Sequence, residues 1–196
     1  MPTMPAHRTT RILILVRERM ARVLAIAFLV ALAGCAPTRH VEAVRVLQDL
    51  AAGTGDSRLK RTTPEPLRQT VAYTVAGRAH HADLYLPSAR EGCVTRSLAP
   101  LEAGAAHCPR AALVAVPGAV PQGKDDPRMV AFATTLARAG FAVVVPELAG
   151  YRQLRIRPSD AREIVEAFAW VSRQPELAPD GRAGMFAFSY SVGPAV

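Results

Sequence analysis

Two serines in the segment Ala187-Phe188-Ser189-Tyr190-Ser191-Val192-Gly193 are the residues of this chain best suited to covalent chemistry. They close the apolar run Ala183 to Phe188, which reads as a buried strand. A serine on a sharp strand-to-helix turn has its hydroxyl pushed out of the sheet, as attack on a carbonyl requires. Only small residues then fit two positions to either side. Two registers meet that condition. Ser189 stands between Ala187 and Ser191, and Ser191 between Ser189 and Gly193, where Pro194 would fall near a first helical turn. The plainer alternative for either serine is the capped start of a helix.

Elements able to position such a turn precede it. Val71 to Val75 and His81 to Leu86 alternate with strand period around Gly77, a hairpin pattern. Ala111 to Val116 is a continuous apolar run ending in Pro117-Gly118, as for a strand buried on both faces. A helix follows: Asp126 caps it, Pro127 suits its first position, Met129, Phe132, Ala133 and Leu136 share a face, and Gly140 closes it. Phe141 to Val145 is a second buried strand. Asp160 and Glu163 then have capping-box spacing ahead of an Ile164, Ala167, Phe168 and Val171 stripe. Pro179-Asp180-Gly181 turns the chain into the strand that ends at the serines. The expected fold is α/β in three layers: an antiparallel hairpin, then a parallel βαβαβ unit with right-handed crossovers.

This pattern resembles the α/β-hydrolase superfamily, in particular its dienelactone-hydrolase-like and prolyl-oligopeptidase-like branches. The resemblance spans about Val71 to Val196 and rests on Arg182, the apolar strand and Ala-Phe-Ser-Tyr-Ser in place of Gly-x-Ser-x-Gly. It implies a serine hydrolase of ester or related acyl bonds, with Ser189 in the nucleophile's place and Ser191 the other register. The oxyanion donors it implies are the backbone N–H of Ala119, in Pro117-Gly118-Ala119, and that of Tyr190, or of Val192 in the other register. Proline-glycine stands where that family usually has histidine-glycine. The family's acid and histidine follow the nucleophile. All five histidines, His7, His40, His80, His81 and His107, precede it, and none matches the family's base. His80 and His81 read as solvated or satisfied strand residues, and Asp125, Asp126 and Glu147 as a helix cap and loop charges. The expectation is therefore the front portion of a longer enzyme, inactive by itself, with an unpaired last strand. A noncatalytic envelope protein using the same fold for binding is the alternative.

The beginning of the chain has a separate task. Arg17, Arg19 and Arg22 precede the apolar run Val23 to Ala33, too short to span a bilayer, and Leu32-Ala33-Gly34-Cys35 follows. This resembles a bacterial lipoprotein signal over residues 1–34, with Met20 as an alternative start. The resemblance implies lipidation of Cys35, a membrane anchor facing the periplasm or exterior, and a spacer over residues 35–70. An uncleaved membrane segment is the rival. Cys93 and Cys108 lie in a Gly-, Ala- and Pro-rich stretch and, in an exported protein, suit a disulfide better than a metal site with His107; free thiols are the third option.

Charge and composition narrow the partners. The 196 residues carry a net charge of +8, but residues 1–34 hold five arginines against one glutamate, so half of the excess belongs to the signal. With no basic run, 6% aromatic residues and a single tryptophan, nucleic acid is not an expected partner. Neither GxGxxG nor GxxxxGK[ST] occurs where a nucleotide cradle would need it, and no cofactor is expected. The expected partners are a small acyl or ester substrate and a membrane.

Overall fold

The computed structural model describes residues 40–88, 108–179 and 181–194. The signal segment, Cys35, Cys93 and Asp180 of the expected turn lie outside the described residues. Two compact units divide the chain, residues 1–44 and residues 45–196. All that follows concerns the second, apart from the start of the first helix. Among the described residues no helix is long and apolar enough to cross a membrane.

Five strands form one sheet: β1 (Leu67–Val75), β2 (Arg78–Leu86), β3 (Ala112–Val116), β4 (Ala142–Pro146) and β5 (Ala183–Ala187), in the order β1-β2-β4-β3-β5. The hairpin is antiparallel, β2 also runs antiparallel to β4, and β3 pairs in parallel with both β4 and β5. A two-residue loop closes the hairpin, with Ala76 at φ 49° and Gly77 at φ 76°. Positive φ at both positions is the turn whose twist matches a hairpin.

Described helices are α1 (residues 40–52), α2 (Arg58–Thr62), α3 (Pro127–Arg138), α4 (Ala149–Arg152) and α5 (Pro158–Ser172). Strand alternation decides which helix covers which face. Ala142 and Val144 of β4, with Val114 and Val116 of β3, join Ile164, Ala167 and Val171 of α5 in one core. Val143 and Val145 join Met129, Ala133 and Leu136 of α3 in the other. These two cores make the three layers, α3, sheet and α5.

Helix ends follow the expected chemistry with one shift. Asp126 accepts the Arg128 N–H at 2.9 Å and Pro127 opens α3, while Gly140 leaves it at φ 95°. In α5, however, Asp160 sits three residues inside and accepts the Arg157 N–H at 2.7 Å, so it closes the first turn from within instead of capping it. Pro158 forces this register, because its fixed φ suits the first helical position.

The stretch expected as a polar spacer is built into the domain from residue 45 onward. Asp49 is fully buried, accepts a hydrogen bond from Thr135 Oγ1 of α3 at 2.6 Å and another from Ser57 Oγ, and lies 3.5 Å from Lys60 Nζ. A buried carboxylate needs partners of this kind, and they pin the segment to α3. Strand β1 also starts earlier than the alternation suggested, at Leu67 rather than Val71.

Candidate active site

Strand β5 continues past Ala187 for one more rung, where Phe188 N donates to Val116 O at 3.2 Å. The backbone then reverses. Ser189 has φ 54°, in the left-handed region that costs a residue with a Cβ roughly 1 kcal/mol or more, and a 3-10 turn runs from Ser189 to Val192. Ser191 closes that turn. Its hydroxyl donates to Phe188 O at 2.7 Å and accepts from Phe188 N at 3.0 Å, and the residue is 0% exposed. The two serines therefore occupy opposite environments, Ser191 spent on holding the turn and Ser189 exposed at its apex.

The loop after β3 passes directly beneath this apex. A Cβ on Gly118 would come 3.3 Å from Ser189 Cβ and 3.5 Å from Phe188 O, so the approach depends on glycine. Ala119 follows, partly buried, its methyl packed against the α5-side core. Tyr190 and Val192 are half exposed, at 52% and 48%.

A cavity of about 500 Å³ opens where these elements meet. Pro117, Gly118, Val120, Met129, Phe188 and Ser189 give it a mainly apolar wall, and Asp126 and Arg128 add charge. Those charges satisfy each other: Arg128 donates to Asp126 through Nε at 3.0 Å and through its terminal nitrogen at 2.9 Å. Hydrogen bonding by Arg128 holds the Asp126 carboxyl below its ordinary range, against the opposing effect of burial. A carboxylate committed in this way is a poor general base. Among the described residues no histidine lines the cavity.

The other expected bystanders have structural partners. His80 Nε2 lies 2.9 Å from Glu166 Oε2, and its ring stacks on Tyr73 with centroids 5.2 Å apart. Burial, then the nearby Arg78, lowers its pKa. Asp125 is bridged by Arg68 and Lys124, and Glu147 lies 3.3 Å from Arg152. No group of acidic, histidine or cysteine residues that could hold a metal occurs among the described residues.

Sequence patterns left three contributors unseen: Met129 and Arg128 on the cavity wall, and the tight passage of Gly118. The first helical turn after Asp126 was legible, but its direction relative to Ser189 depends on the β3-β5 pairing.

No family model and no curated protein matches the chain. Among solved structures it is similar to a dienelactone hydrolase from Anabaena variabilis ATCC 29413, at 18% identity and TM-score 0.46, over 67% of this chain and 56% of that one. A promiscuous dienelactone hydrolase-like phosphotriesterase from metagenomic libraries is similar at 19% identity and TM-score 0.43, over 65% and 51%. A thermostable carboxylesterase cloned from a metagenomic library is similar at 15% identity and TM-score 0.41, over 80% and 47%. The chain spans about half the length of these structures. The mixed five-stranded sheet, with its hairpin and parallel crossovers, is consistent with the α/β-hydrolase fold.

Proposed function

We propose that the chain carries the nucleophile end of a serine hydrolase acting on an ester or related acyl bond. The observation behind this reading is the left-handed backbone of Ser189, an exposed serine at the apex of a turn that Ser191 holds from within. A strained backbone at a residue that is not glycine is retained where the surroundings enforce it and function uses it. In this reading Ser189 Oγ attacks the acyl carbonyl and the developing oxyanion is met by the N–H groups of Ala119 and Tyr190. The serine proton needs a base, which the resemblance assigns to a histidine oriented by a carboxylate; that base returns the proton to the departing alcohol as the ester bond breaks, and water then releases the acyl group as the acid. Among the described residues none that lines the cavity fills that role.

Treatment of the whole protein with a fluorophosphonate, followed by peptide mass spectrometry, tests the assignment. Covalent mass on Ser189, absent from Ser189→Ala, is the expected result. Modification of Ser191 or of no serine would overturn it. The alternative, a noncatalytic protein using the fold for binding, draws on Ala187 and Ser191 in place of the flanking glycines. It is selected if Ser189 stays unlabelled.

The remaining parts of the reading concern location. Cys35 is proposed as a lipid attachment site on an exported protein, checked by palmitate incorporation lost in Cys35→Ala. Cys93 and Cys108 are proposed as a disulfide. Non-reducing peptide mapping is the check.

A further inference from the structure

Asp83 is a charged residue in a place where charge is costly. It lies in the middle of β2, 1% exposed, with Thr70 of β1 as its neighbour on one side and Val145 of β4 on the other. Both flanking strands fix its backbone. An isolated carboxylate there would be strongly disfavoured, so its partners are worth following.

Thr70 Oγ1 donates to Asp83 Oδ1 at 2.9 Å, and Arg68 donates through Nε at 2.9 Å and a terminal nitrogen at 2.5 Å to Oδ2. The third partner comes from a different part of the molecule. Lys124 Nζ lies 3.2 Å from Asp83, and Lys124 is followed by Asp125, which is paired with both Lys124 at 3.1 Å and Arg68 at 2.5 Å. Two cations and two anions thus alternate in a closed ring. Hydrogen bonds and charge from Asp125 and Asp83 overcome burial and raise the Lys124 pKa, which keeps the lysine charged.

Lys124 and Asp125 belong to the loop between β3 and α3, the same loop that passes under Ser189 at Gly118. Between the two points the backbone is a chain of turns: Gly123 N to Val120 O at 3.0 Å, Asp125 N to Gln122 O at 3.0 Å and Asp126 N to Gly123 O at 3.2 Å. Gly123 sits at φ 57°, so close under Arg152 that a Cβ would meet Arg152 Cγ at 2.7 Å. Consecutive turns transmit a fixed position at residue 124 back to Val120, one residue after Ala119.

We infer that Asp83, acting through Lys124, is a positioning residue for the oxyanion loop: it anchors residues 118–120 against Ser189 from its buried position on β2. The functional part of this inference rests on the serine-hydrolase reading; the mechanical part does not.

Amide hydrogen exchange and fluorophosphonate labelling separate the two parts. Asp83→Asn leaves Arg68 short of a partner and risks the fold, so the primary variants are Lys124→Met and Lys124→Arg. In Lys124→Met, amides of residues 118–120 exchange at least about tenfold faster while those of β3 and β4 keep their wild-type protection, and Lys124→Arg restores the loop. Unchanged exchange at 118–120, or faster exchange shared by the whole sheet, overturns the anchor. In the whole protein, Ser189 labelling by fluorophosphonate slows by about tenfold in Lys124→Met and recovers in Lys124→Arg, below the roughly 10²-fold loss of an oxyanion donor itself. Loop loosening with an unaltered labelling rate overturns the catalytic role of the anchor. A wild type that takes no label overturns the hydrolase reading instead, and exchange alone then decides the anchor.

Discussion

Strands β4 and β5 have the same length and similar apolar composition, yet they live in different solvents. All five residues of β4 are buried, flanked by β2 and β3 and covered by α3 and α5. Strand β5 pairs with β3 alone among the described strands, its residues are only partly covered, and Phe186 is 44% exposed. The candidate chemistry sits on the exposed strand, and the residues that hold it in place sit on the buried ones. Val116 of β3 receives the last rung before Ser189, and Asp83 of β2 anchors the loop beneath it. Rigidity is supplied where burial is complete, and access where it is not.

The sharpest break in this comparison comes from placing charge in each strand. Val144→Asp puts an unpaired carboxylate inside the core under α5 and should cost at least about 4 kcal/mol, whereas Phe186→Asp should cost less than about 1.5 kcal/mol. Urea denaturation followed by circular dichroism measures both. Comparable losses would mean that β5 is as integral as β4.

Removing the Asp49 carboxylate asks whether burial counts as much in the helical segment before the sheet. Asp49→Ala removes the acceptor of the buried Ser57 hydroxyl, leaves Thr135 Oγ1 only the Ala131 carbonyl of its own helix, and takes the counter-charge from Lys60. A loss of about 2–4 kcal/mol is expected in the same denaturation experiment. A loss under about 0.5 kcal/mol would show that residues 45–66 are only loosely attached.

Within the turn itself the two serines should move stability in different directions. Ser191→Ala removes a buried hydroxyl with two hydrogen bonds and should cost about 1–2 kcal/mol. Ser189→Gly relieves the left-handed backbone and should leave stability unchanged or raise it by up to about 1 kcal/mol. Equal losses at both positions would remove the distinction between support and apex.

The smallest effect is a pH dependence at the cavity rim. Asp126 titrates below its unfolded value because Arg128 bonds its ionised form. Its contribution is therefore complete above the unfolded value, about 3.9, and disappears as pH falls through the lower folded value. The difference in melting temperature between wild type and Asp126→Asn should be constant near neutrality and shrink below about pH 4. A difference that grows with acid would invert the assignment.

Much of the fold could be read locally because its determinants are local. Ala76-Gly77 allows the hairpin turn, Asp126-Pro127 opens α3, Gly140 ends it, and apolar runs without alternation mark strands covered on both faces. The serine turn was legible for the same reason, as small residues around a serine at a strand end. Asp160 misled by a few positions because a carboxylate can close a helical turn from its third residue as well as from its cap, and only Pro158 decides which.

By itself, then, the sequence determined the order and type of the five strands and of α3 and α5, and singled out Ser189 and Ser191 as the candidates for chemistry. The choice between their environments required the tertiary structure, since it depends on which hydroxyl meets the backbone of Phe188 after the strand has paired with β3. The same holds for Asp83 with Lys124, and for Asp49 with Thr135, whose partners are 41 and 86 positions away. Local patterns encode what a segment does with its own backbone, but a buried charge is satisfied by whatever the topology brings beside it, and no spacing along the chain records that.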